Sequence, residues 1–374
     1  MSLLLLIVGL LLFVGLVVFH EWGHFIAARR NGVEVEEFGI GFPPRAKVLA
    51  RKNGTTYTLN WLPLGGFVKL KGENDADDTP GSFGAASLKA KVKIMLAGVV
   101  MNLVAAFVLL TLAAFIGIPK LIPNQFTVDS DTKVTKQEVY IGFLEESSPA
   151  DQAGIRERDR LVSLAQGDQQ FNLTTAEELP DITEKLAGQT VTATVERGGQ
   201  ELQLPLTLRS TDEVEASRQT DDPKGYLGVG PTEYTLRRST WSAPVVAAGL
   251  MKQFTVETFR GIGKALGGLS RGDTKAASEQ VSGPVGIFVL LQDGSLLGPE
   301  FILFIIAVIS LTLAIMNALP IPALDGGRLF VTLIYRGLKK PLTKEAEERI
   351  HGFGFMALML LFVLITIVDV KRFF

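Results

Sequence analysis

The sequence predicts an α-helical integral membrane protein with four transmembrane helices and an α+β domain facing outward between the second and third. Three observations carry this. Of 374 residues, 47% are hydrophobic and 20% charged, with a mean hydropathy of +0.29, and the two classes are segregated along the chain. Four apolar runs reach or approach the roughly 20 residues that cross a hydrocarbon core. Lys and Arg gather in two of the intervening loops. Cysteine is absent, which excludes disulfides and thiolate metal sites, and the only histidines are His20, His24 and His351. A net charge of −2 and a pI near 6.1 give no support to a nucleic-acid binder.

The first run, Ser2 to Phe19, opens a segment taken as 1–33. A cleaved signal peptide would need a basic start and a small-residue cleavage site. Met1-Ser2-Leu3 and His20-Glu21-Trp22 supply neither. The second run, 94–118, is closed by Pro119. The third, within 301–327, is broken by Pro320 and Pro322, and the fourth covers 353–370. Basic residues between runs one and two, from Arg29 to Lys93, and between runs three and four, from Arg328 to Arg349, place both loops in the cytoplasm. The acidic segment 119–299 and both termini then face outward; Lys371 and Arg372 oppose this only at the chain end.

Residues 34–72 read as four strand runs, 35–42, 46–51, 55–62 and 66–70, with Asn53-Gly54 as a hairpin turn. Residues 73–93 read as a cytoplasmic loop. An outward domain spans 138–210. It holds a strand at 139–144, a short capped helix at 148–154, a strand at 160–164, a helix at 176–186 and a hairpin across Gly198-Gly199. This order resembles a PDZ domain. Residues 211–240 read as a linker, and 241–290 as an amphipathic segment on the membrane surface.

The chemistry lies in His20-Glu21-Trp22-Gly23-His24. Histidines four apart stand about 40° from each other on a helix, so two imidazoles can bind one zinc ion. Glu21 lies about 60° from His24 and within reach of a water polarised by that ion, as a general base for peptide hydrolysis. Two core histidines with a chance glutamate between them would be the bland alternative. Ionisable residues at the edge of an apolar span are expensive and functional by default, which argues against it. A third ligand must be His351 or a carboxylate. His351 follows Glu345, Glu347, Glu348 and Arg349 and reads as a solvated surface histidine. Asp325 follows the proline-broken Asn317 to Leu324 segment, whose freed backbone groups must line protein or a water-filled cavity. Gly326-Gly327 lets backbone approach closely there, so Asp325 is the better candidate.

These motifs resemble the bacterial site-2 protease family, intramembrane zinc metalloproteases that include the regulator of sigma-E protease. The likeness extends through Phe38-Gly39-Ile40-Gly41-Phe42, Pro63-Leu64-Gly65-Gly66-Phe67, Ser282-Gly283-Pro284-Val285-Gly286 and Asn317 to Gly327. The resemblance implies Zn2+ held by His20, His24 and Asp325, Glu21 as catalytic acid/base, and Asn317 as a substrate-binding residue. It implies that 34–72 is a membrane-associated β-hairpin region pairing with substrate backbone. Asn102, in Ala97-Gly98-Val99-Val100-Met101-Asn102, stands where the family has an asparagine, although Val99 replaces its proline; it is either a second substrate-facing residue or a helix-packing one. Expected partners are the lipid bilayer, single-span substrates of the anti-sigma-factor or remnant-signal-peptide kind after ectodomain trimming, and a peptide C-terminus at the PDZ-like domain. The expected location is the bacterial cytoplasmic membrane. That domain would act by size exclusion. A non-catalytic scaffold is the alternative, and it needs neither Glu21 nor a metal.

Overall fold

The computed structural model describes all residues except 1, 221, 274–277 and 279–281. The described chain separates into two compact units. Unit 1 comprises residues 1–115, 126–128 and 241–374, and unit 2 comprises 116–125 and 129–240.

Four helices of unit 1 are long and apolar enough to cross a membrane. They are α1 (Ser2–Arg30), α2 (Leu88–Ile116), the helix Pro299–Ala318 and the helix Lys344–Phe373. All four expected spans are present as helices long and apolar enough to cross a membrane, but two begin six or more residues before their apolar runs. α2 starts six residues before Ile94, and its Lys91 is fully buried, paired with Asp75 and set over the Phe83 ring. A buried lysine is tolerable only with such a partner. The 73–93 segment is therefore not a free loop: Phe83 is 1% exposed, and the Asp75 N–H donates to Glu347 Oε2 at 2.8 Å. The last helix likewise starts at Lys344 rather than Phe353, capped by the Thr343 hydroxyl, with Glu347 buried 3.5 Å from Arg328 Nε.

The strands of 34–72 form β1 (Val35–Lys52) and β2 (Thr55–Leu70), joined at Asn53-Gly54, where both residues have positive φ as a two-residue hairpin turn requires. The register shows that each long strand folds back on itself. Residues 35–40 pair with 66–70 on one side, 37–40 pair with 56–59 on the other, and 45–52 pair with 55–60. The four strand runs read from the sequence thus lie side by side, with 66–70 and 45–52 at the two edges. Phe25 of α1 meets Phe38 edge-on at 5.6 Å, an arrangement worth about 0.5–1.5 kcal/mol beyond burial. These rings, with Val33, Leu70, Phe83, Ile94 and Met95, fasten α1, the sheet and the start of α2 into one cluster.

Beyond unit 2, α6 (Ala243–Ser270) packs by Phe254 against Phe304, and by Met251 and Phe254 on Ala106, Leu311 and Ile315. It is the helical part of the segment expected at 241–290. Residues 274–277 and 279–281 of that segment lie outside the description, and its end cuts through the next helix, α7 (Pro284–Leu297). Asp369 is buried and accepts from Gly283 N and Gly286 N at 2.9 and 2.8 Å, capping α7. The Pro299–Ala318 helix is α8. It breaks at Leu319–Leu324 before α9 (Asp325–Gly337), and Lys344–Phe373 is α10.

Unit 2 is a sheet of seven strands: β3 (Ile118–Pro119), β4 (Lys133–Leu144), β5 (Arg160–Gln166), β6 (Gln169–Asn172), β7 (Thr190–Arg197), β8 (Gln200–Thr207) and β9 (Val229–Arg238). Their order is β3-β9-β4-β5-β7-β8, with β6 on β5. The short helices are α3 (Pro149–Gln152), α4 (Glu178–Lys185) and α5 (Thr211–Ser217). The expected linker at 211–240 is not a linker. α5 carries a capping box between Ser210 and Glu213, and β9 pairs along most of β4, which commits the segment to the domain. The unit therefore extends well past both ends of 138–210.

Candidate metal centre

His20 and His24 sit one turn apart on the same face of α1, as their spacing requires. Asp325 is brought to them by the break after α8. Prolines 320 and 322 prevent the helix from continuing, Ala323 takes a positive φ of 78°, and Asp325 opens α9. The turn is tight enough to require glycine. A Cβ on Gly326 would meet the Leu319 carbonyl at 2.6 Å, and one on Gly327 would meet Pro322 N at 2.8 Å.

The three ligand atoms form a nearly equilateral triangle. His20 Nε2 to His24 Nε2 is 3.2 Å, His20 Nε2 to Asp325 Oδ2 is 3.1 Å and His24 Nε2 to Asp325 Oδ2 is 3.2 Å. Bonds of about 2.0–2.1 Å to a tetrahedral ion put neighbouring ligand atoms roughly 3.3–3.4 Å apart. The spacing, the two imidazoles and the single carboxylate suit zinc, with a fourth position left open. Among the described residues this is the one cluster of three such groups that could hold a metal ion.

The surroundings aim the ligands. His24 Nδ1–H donates to the Ile94 carbonyl at 2.8 Å, which leaves Nε2 with its lone pair for a metal. Asn102 places its amide 3.1 Å from His20 Nδ1. α2 comes this close because Gly98 faces the two rings: a Cβ there would lie 2.6 Å from His20 Nε2 and would also strike His24 Nε2. Gly23 of α1 answers it, with Met101 Cγ and the Ala97 carbonyl at 2.6 and 2.7 Å from a Cβ.

Glu21 is on the same turn but is not a ligand. With His24, Val68, Asp325 and Arg328 it lines a cavity of about 140 Å3, room for a few waters. Strand residues 66–70 flank it, and a Cβ on Gly66 would lie 3.3 Å from Glu21 Cγ. A second hollow of about 530 Å3 meets Asp325 from the side of Glu73, Glu348 and His351.

The expected site residues therefore divide. His20, Glu21, His24 and Asp325 come together. His351 lies outside the ligand triangle, but it is not a solvated surface histidine: it sits on α10, and its Nδ1 accepts from the strained Ala323 N–H at 3.2 Å. Asn317, in the last turn of α8, is half-buried and its amide has no hydrogen-bond partner among the described residues. Asn102 is fully buried, with its amide against His20. The sequence does not mark Gly98 as part of the site, because nothing in it shows which face of α2 meets the histidines.

Residues 8–361 match the model of the family described as Peptidase family M50. The chain is similar to the protein named probable protease eep of Enterococcus faecalis, at 28% identity over 96% of this chain and 97% of that one. It is also similar to the zinc metalloprotease RasP of Geobacillus kaustophilus, at 28% identity over 98% and 97% of the two chains. The zinc metalloprotease RasP of Shouchella clausii matches at 26% identity over 96% and 97%.

Proposed function

This chain belongs to peptidase family M50 and is a zinc metalloprotease, and we propose that it hydrolyses a peptide bond within or near the membrane-spanning helix of single-span substrates. The observation that carries this reading is the His20–His24–Asp325 triangle at the ends of apolar helices, with Glu21 beside it in a cavity of about 140 Å3.

His20, His24 and Asp325 would hold the zinc ion, which when bound would lower the pKa of water towards ~7 and polarise a carbonyl oxygen. The remaining steps belong to the chain. Glu21 takes a proton from the attacking water as its oxygen bonds to the carbonyl carbon, and delivers it to the nitrogen as the C–N bond breaks. A transmembrane helix buries its carbonyls in its own hydrogen bonds, so it must unwind before attack. The strand 66–70 is an edge of its sheet and runs beside Glu21, which suits it to strand addition by an unwound substrate. The Asn317 amide, eight residues before Asp325 and without a hydrogen-bond partner among the described residues, suits the same unwound segment. Basic loops after α1 and α8 favour a centre on the cytoplasmic side of a bacterial inner membrane. Substrates would arrive after ectodomain trimming, as in regulated intramembrane proteolysis.

The test is Glu21→Gln in the purified full-length chain with a synthetic single-span peptide in vesicles. The variant keeps zinc and loses roughly 10²–10⁴-fold in cleavage rate, the usual worth of a positioned acid/base. Cleavage at the wild-type rate contradicts the mechanism.

A further inference from the structure

Asn102 shows what holds His20 as a ligand. Its side chain is fully buried in α2, and its Nδ2 lies 3.1 Å from His20 Nδ1. Its Oδ1 is buried with no hydrogen-bond partner among the described residues. Its backbone carbonyl accepts from Ser310 Oγ at 2.9 Å, which ties α2 to α8 and sets the amide level with the histidine.

The two ring nitrogens of His20 have different duties. Nε2 converges on His24 Nε2 and Asp325 Oδ2, so it must keep its lone pair to bind a metal. The proton of the neutral ring then sits on Nδ1, which must donate. An amide NH2 facing Nδ1–H would set donor against donor and strand the amide oxygen. A half-turn of the amide keeps its shape and exchanges the two atoms. Oδ1 then accepts from Nδ1–H, which pairs the orphaned acceptor and moves the NH2 to the position Oδ1 leaves. His24 has the same arrangement with a partner whose role is fixed, because the Ile94 carbonyl can only accept. We infer that Asn102 is a positioning residue whose side-chain oxygen accepts from His20 Nδ1–H, holding the ring in the tautomer and orientation that present Nε2 to zinc. This rests on the zinc reading of the site. It is a third role beside the two the sequence left open for Asn102, a substrate-facing residue or a helix-packing one.

The experiment measures zinc affinity of the full-length chain by competition with a fluorescent chelator, in wild type, His20→Ala, Asn102→Leu and Asn102→Asp. The first two test the zinc reading by itself: a wild type without stoichiometric zinc, or a His20→Ala variant that binds as tightly, overturns that reading. With the site established, Asn102→Leu removes the acceptor at similar volume and weakens zinc by about 10–100-fold, the usual cost of losing a partner behind a metal-bound histidine. Asn102→Asp keeps an acceptor and retains affinity within about threefold or tightens it, as carboxylate–histidine–zinc pairs do. A mere packing role predicts the reverse order, since a buried carboxylate packs worse than leucine. Wild-type affinity in Asn102→Leu, or equal loss in Asn102→Asp, overturns the inference. Should the leucine variant not fold, the aspartate variant decides alone: retained affinity supports the inference, and a tenfold loss contradicts it.

Discussion

The two units solve opposite problems. Unit 2 encloses an apolar core of residues such as Val139, Ile141, Leu164, Ala193 and Val195, and its buried carboxylate Asp159 is held by the partly exposed Arg197 through two hydrogen bonds of 2.7 and 2.6 Å. Unit 1 places polar groups inside: His20, Asn102, Lys91, Glu347 and Asp369 are all buried there. Each of them has a specific partner, and at the metal centre the room comes from small residues. Gly98, Gly23, Gly326 and Gly327 let backbones approach where side chains would otherwise stand. In unit 2, volume stabilises. In unit 1, space removed from the helices is what admits the chemistry.

That difference gives graded expectations. The largest effect lies at the closest approach. Gly98→Ala drives a methyl group into both histidine rings, and zinc affinity, read by chelator competition, falls by at least about 10–100-fold, on the scale of losing a partner behind a ligand. Unchanged affinity would mean that α2 does not set the ligand geometry. A smaller effect is expected in unit 2. Arg197→Ala leaves Asp159 with the Arg156 N–H as its remaining partner among those seen here, at 2.8 Å. Such a loss costs about 1–3 kcal/mol, less than removal of a fully enclosed pair because the arginine is partly exposed. Thermal unfolding of unit 2 should shift down by several degrees while zinc content stays unchanged. A variant that also lost zinc would show that the units are energetically coupled and would break the comparison.

What the sequence revealed followed the same division. The four spans were legible because apolar runs of that length have one use, and the histidine pair because an i, i+4 spacing fixes geometry within a single turn. Asp325 was legible because two prolines and two glycines dictate a break at that point. The misread parts depend on distant partners. Lys91 and Glu347 made their segments look like exposed loops, and only Asp75 and Arg328 bring them inside the helices. β9 contains Pro231, Arg237 and Arg238 and has weak strand character of its own; it is a strand because β4, about a hundred residues earlier, supplies its hydrogen bonds. His351 looked solvated because its partner is a backbone N–H in the broken segment, 28 residues away.

The most direct test of the account is the zinc content of Asp325→Ala beside wild type, measured on purified full-length chains by elemental analysis. The account predicts close to one zinc per wild-type chain and almost none in the variant, since two imidazoles four residues apart do not complete a three-ligand site. A variant that retains a full equivalent of zinc would contradict it and would move the third ligand elsewhere.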